Sequence, residues 1–105
     1  MKVVAFGDGR TLTKQILEII KENTMNSVTT IYKVYGCDEE GKPILWAEFL
    51  DLKEACQYAV ANHGKIHYGL PNIDQVTYVY DPDFEVVHSS TLQIEPARIY
   101  YMNQI

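Results

Sequence analysis

Residues 43–64, PILWAEFLDLKEACQYAVANHG, constrain the fold of this chain more than any other stretch. A short alternating run passes straight into an amphipathic helix that stops on a glycine. In the run, Leu45, Ala47 and Phe49 alternate with Ile44, Trp46 and Glu48, which predicts a strand with one face toward a core. Asp51 stands where an N-cap belongs, and Leu52, Ala55, Cys56, Ala59, Val60 and His63 recur on one helical face. Gly64 can supply a left-handed C-terminal cap. A helix joined so closely to its strand packs back on its own sheet. Leu45, Ala47 and Phe49 are therefore expected to face the helices, and Ile44, Trp46 and Glu48 to lie on the other side.

The flanking segments extend this pattern. Residues 3–6 form an apolar run ending at Gly7-Asp8-Gly9, read as a first strand. Thr11 is a helix N-cap in this reading, and Leu12, Ile16, Leu17, Ile19 and Ile20 form the apolar stripe behind it. Residues 28–35 are β-branched and aromatic and read as a strand. The polar loop over residues 36–41 turns that strand into the next, a hairpin. Residues 73–80 alternate again, Asp81-Pro82-Asp83 is a turn, and residues 84–88 form a partner strand. Residues 89–95 read as a polar connection and residues 97–102 as a last strand.

The order strand–helix–strand–strand–helix–strand predicts one α+β domain over residues 1–105. Its expected class is ferredoxin-like, βαββαβ, with a C-terminal β extension over residues 84–105. Two helices on one face of an antiparallel sheet would leave the other face open. That face is expected to carry Ile44, Trp46, Tyr32 or Tyr35, and Tyr78 with Tyr80. Tyr100 and Tyr101 combine an apolar body with a polar tip and suit an interface.

Within this frame, KPILWAEF at residues 42–49 resembles the third strand of an RNA-recognition motif, with Lys42, Trp46 and Phe49 at matching positions. DLKEACQYAVANHG, residues 51–64, is similar to that family's second helix and its exit. Pro43 stands where the family has a glycine, and Ile44 where it has an aromatic. The resemblance covers about half the chain. It implies the ferredoxin-like fold and binding of single-stranded nucleic acid by base stacking on sheet aromatics.

Charge weighs against that activity. Nine basic and fourteen acidic residues give a net charge of −5, which repels phosphate backbones at long range. The aromatic set therefore reads first as a surface for a protein partner, a second copy of the chain included. The expected function is that of a small non-enzymatic binding or regulatory protein, such as an inhibitor of a larger machine. It would act through its sheet face or C-terminal strand, with Tyr32, Ile44, Trp46, Tyr78, Tyr80, Tyr100 and Tyr101 as candidate contacts. The alternative is a single-stranded nucleic-acid binder. A further alternative is a small-ligand or phosphate sensor using the strand-to-helix loop, with Gly7, Gly9 and Thr11 around the anion.

No apolar run has the length of a transmembrane helix, and MKVVAFGDGR reaches a turn too soon for a signal-peptide core. A cytoplasmic protein is expected, with no membrane partner and with Cys37 and Cys56 as unpaired thiols. Cys37, Cys56, His63 and His67 lack the close pairing of structural zinc ligands, so no metal or cofactor is expected. No spacing joins a nucleophile to a base and an orienting group, so no enzyme is expected.

Overall fold

The computed structural model describes residues 12–22, 27–37, 40–62 and 72–104. They form an α+β fold of three helices and one antiparallel sheet. The elements are α1 (Leu12–Lys21), β1 (Ser27–Cys37), β2 (Pro43–Phe49), α2 (Leu52–Ala61), β3 (Asn72–Asp81), β4 (Val86–Ile94) and α3 (Pro96–Gln104). The sheet runs β2-β1-β3-β4. The first strand expected over residues 3–6, its Thr11 cap and the Gly64 cap lie outside the described residues.

This strand order departs from the ferredoxin-like expectation. That arrangement inserts the first strand between the two strands flanking the second helix. Here the position between β2 and β3 is held by β1, the first strand of the hairpin, which pairs with β3 from Ser27↔Tyr80 to Tyr35↔Asn72. The β1–β3 register is unbroken over these positions, so no gap is left between them for another strand.

The sheet is also covered differently. On one face, Val34, Ala47, Phe49, Ile73 and Ile94 pack with Ala55, Cys56 and Ala59 of α2 and Ile99 of α3. On the other, Ile31, Val76 and Tyr78 pack with Leu12 of α1, joined by Ile16 and Leu17. The face expected to stay open is thus occupied by α1. Fully burying one such aliphatic side chain contributes about 1.5–3 kcal/mol. The two clusters together hold the sheet between its helices.

Local chemistry accounts for the element ends. Asp51 caps α2 by accepting from the Glu54 amide at 3.0 Å, and the chain exits through Asn62, whose amide and side chain both donate to the Tyr58 carbonyl. Gly41, at φ 84°, makes the β1–β2 turn where a side chain would be strained. Asp81 accepts from the Asp83 amide at 3.0 Å and begins the β3–β4 turn.

Two expectations at the C-terminal end are corrected. Residues 89–95, expected as a connection, continue β4 to Ile94. Their Ser and Thr side chains are exposed, so no apolar alternation marks the strand. Residues 97–102, expected as a β extension, belong to helix α3. Pro96 sits at the first helical position, where its missing N–H costs nothing. The Glu95 carbonyl accepts from the Arg98 and Ile99 amides, and Ile99 with Met102, three residues apart, faces the α2 cluster.

Candidate functional site

The aromatic set expected to share one surface is divided by the sheet. Tyr78 and Tyr80 are buried, Tyr78 within the α1-side cluster. Tyr32 and Trp46 pack against the opposite cluster, beneath α2. Trp46 is the main correction, because simple alternation puts it beside Glu48. Val34 pairs with Ala47, but the next residue, Tyr35, pairs with Leu45. Trp46 is the extra residue of a β-bulge, which resets the alternation and brings it to the same face as Ala47. Its indole Nε1 is buried and has no hydrogen-bond partner among the described residues. Ile44, beyond the bulge, is exposed. Tyr100 and Tyr101 lie on α3, Tyr101 exposed and Tyr100 half-buried. Gly7, Gly9 and Thr11, the candidate anion loop, lie outside the described residues.

A polar layer runs under α1. Glu48, Lys33 and Asp74 occupy adjacent register positions across β2, β1 and β3. Glu48 is only 1% exposed. Its Oε2 accepts from the Thr13 amide at 2.7 Å and the Thr13 hydroxyl at 2.6 Å. A carboxylate from the sheet therefore caps the N-terminal turn of α1, where backbone amides lack intrahelical partners and the helix dipole favours negative charge. Lys33 Nζ lies 5.5 Å from the centroid of the Tyr78 ring. Burial pulls the Lys33 pKa down, but the hydrogen bond to Tyr78 and the charges of Tyr78, Glu48 and Tyr35 outweigh it, so the net shift is upward. Burial raises Asp74, partly opposed by Lys33. Burial likewise raises Tyr35, against the pull of Lys33. This layer fixes α1 on the sheet. Among the described residues, no group of three His, Cys, Asp or Glu is placed to hold a metal ion.

The surface left for recognition is elsewhere. Helices α2 and α3 cover one end of their sheet face, around Val34, Ile73 and Ile94. Val28, Val79 and Val86 are exposed at the other end of that face, and Leu92 is exposed beside Gln75 with His88 and Ser90 between it and Val86; Val28 is 67% and Leu92 58% exposed. Thr30 and Thr77 meet between them, their hydroxyl oxygens 3.3 Å apart. This apolar strip runs to β4, which ends the described sheet.

The two sheet edges differ in chemistry. The β2 edge begins at Pro43, is broken by the Trp46 bulge and carries Glu48. Proline, bulges and inward charges are devices that discourage pairing with another chain. The β4 edge, VVHSSTLQI, is nine residues long with no proline, Lys, Arg, Asp or Glu. Its residues from Val86 to Gln93 are exposed or half-exposed. Sequence reasoning missed this edge because it read residues 89–95 as a loop. The signal lay in the β-branched and hydroxyl side chains running from Val86 to Leu92 without a Gly, Pro, Asn or Asp.

Among the described residues, no helix is long and apolar enough to cross a membrane. Cys37 and Cys56 are free thiols, Cys56 buried and raised in pKa by that burial. No family model, curated protein or solved structure matches the chain.

Proposed function

We propose that this chain is a non-enzymatic protein-binding module that acts by strand addition at β4. The observation that carries the reading is the contrast between its edges: β2 is blunted, whereas β4 is long, uncharged and bordered by exposed Val28, Val79, Val86 and Leu92. In strand addition, main-chain hydrogen bonds supply affinity and alternate side chains supply specificity. Here the specificity would come from residues of the added strand that reach Leu92 and Val86. A regulatory or inhibitory role toward a larger protein fits a module of this size. The free thiols support a reducing, cytoplasmic setting.

This reading replaces the sheet aromatics as the contact surface, since Tyr78 and Tyr80 are buried and Tyr32 and Trp46 lie beneath α2. A library of extended decapeptides displayed against the immobilised chain tests it. Selected peptides should perturb the backbone amides of β4 and lose affinity at least tenfold on Leu92→Lys. Binding that maps to α1 or to the β1–β2 turn, untouched by Leu92→Lys, refutes it.

A further inference from the structure

We infer that the partner of the β4 edge is a second copy of this chain, added antiparallel about a two-fold axis at Ser89. The inference rests on the strand-addition reading and names its occupant.

Charge is the first argument. A chain of net charge −5 repels its copies unless the meeting surfaces are free of like charge. The β4 strand has no acidic residue between Val86 and Ile94, and the strip beside it is built from Val28, Thr30, Thr77 and Val79. The nearest carboxylates lie around the β4 row rather than in it: Glu85 and Glu95 bracket the strand, and Asp81 and Asp74 stand on β3 beside Val86 and Gln93. A basic-surfaced partner would find no complementary charge along β4 itself, whereas an identical strand brings no like charge into the overlap from Val86 to Leu92.

Register is the second. In an isologous antiparallel pair, directly opposed residues share a face, so the axis must pass through a residue position. An axis at Ser89 sets Val86 opposite the partner's Leu92, and the partner's Val86 opposite Leu92. These are the exposed apolar residues of β4 on the uncovered face. His88 then opposes the partner's Ser90, and Val87 the partner's Thr91. An axis at Ser90 would instead set Val86 against Ile94, already buried beneath α3, and His88 against Leu92. An axis at His88 would oppose the two imidazoles and push Leu92 past the end of the partner strand. Only the Ser89 axis matches the exposed apolar positions within the strand.

The third is extent. The overlap from Val86 to Leu92 spans roughly 23 Å. It joins two four-stranded sheets and makes the two apolar strips continuous. A contact made of one strand edge and its bordering side chains belongs to the weak, transient class rather than to permanent dimers, which bury about 1,000 Å² or more on each partner. A concentration-dependent dimer is the consequence.

Sedimentation equilibrium of the full chain across micromolar to millimolar concentrations, with cysteine cross-linking, tests the inference. In a Cys37→Ser background, Ser89→Cys and Ser90→Cys are compared under mild diamide oxidation. Opposed residues of antiparallel strands have Cα atoms about 4.5–5.5 Å apart, within disulfide reach. Ser89→Cys should form covalent dimer at least tenfold faster than Ser90→Cys, and Leu92→Lys should weaken self-association at least tenfold while leaving the far-ultraviolet circular dichroism unchanged. Faster cross-linking of Ser90→Cys overturns the register. A chain that is monomeric at millimolar concentration, yet binds displayed peptides at β4, overturns the self-partner and leaves strand addition standing. A monomer whose β4 amides resist exchange, with no peptide bound there, overturns both.

Discussion

Replacing Glu48 probes the contact that holds α1 to the sheet. Its carboxylate accepts two hydrogen bonds from Thr13 and is almost wholly buried. Hydrogen bonds to a charged group contribute about 1.5–3 kcal/mol each. The favourable charge at a helix N-terminus adds about 0.3–1 kcal/mol. Against these stands the desolvation of a buried carboxylate, several kcal/mol, which Glu48→Ala would relieve. The alanine variant also leaves the Thr13 amide without its partner and strips Lys33 of a neighbouring negative charge. The net loss expected is about 2–4 kcal/mol for Glu48→Ala, within the range for breaking one side of a buried charged contact. Glu48→Gln keeps an acceptor oxygen but not the charge, and should lose about 1–2 kcal/mol. Thr13→Ala removes the hydroxyl bond and spares the amide bond, so its coupling to Glu48→Ala should be about 1 kcal/mol in a double-mutant cycle. Urea denaturation measures the stabilities. Native-state hydrogen exchange should show protection falling more in α1 than in β3, because only α1 depends on this cap. A loss below about 0.5 kcal/mol in Glu48→Ala, or equal loss of protection in both elements, would refute the reasoning.

Three further outcomes follow from the geometry. Trp46→Phe removes a buried indole N–H that has no partner among the described residues, so its unfolding free energy from urea denaturation should stay within about 1 kcal/mol of wild type, whereas Trp46→Ala should lose about 2–3 kcal/mol; a large loss in the phenylalanine variant contradicts the packing described. Glu85 holds φ at 53°, a conformation costing a side-chain-bearing residue about 1 kcal/mol, so Glu85→Gly should raise the urea midpoint, and an unchanged or lower one counts against the turn. Lys33, Tyr35 and Tyr58 all have folded pKa values above their ordinary ones, so each contributes stability below its unfolded value near pH 10 that is lost as pH rises through the folded value. Unfolding midpoints should therefore fall from pH 9 to 11, less steeply in Lys33→Met; a flat profile would contradict the shifts.

Much of the secondary structure was legible because its signals are local. The strand at residues 28–35, the hairpin, the Asp51 cap and the helix behind it each depend on residues a few positions apart. The same holds for the inward direction of Ala47 and Phe49, but not for Leu45, which the bulge pairs with Tyr35 on the opposite face. At the C-terminal end, a local signal existed but was outweighed: Pro96 marks a helix start, while the aromatic and β-prone residues after it suggested a strand. The Ile99–Met102 spacing becomes decisive only with α2 beneath it.

The candidate surface was not legible, because it depends on long-range choices. Whether Glu48 faces water or caps a helix depends on where α1 lands, a contact thirty-five positions apart in the chain. Whether Trp46 joins the exposed or the buried face depends on one bulge in the β1–β2 register, and a one-residue shift exchanges the faces. Which strand becomes the unprotected edge depends on β1 pairing with β3. Sequence by itself therefore determined an α+β chain with helices α1 and α2 and the β1–β2 hairpin, since propensity, capping and alternation act within a few residues. Tertiary structure alone decided strand order, the division of the aromatics and the place of β4 at the edge of the described sheet, since each is set by which distant apolar surfaces bury one another.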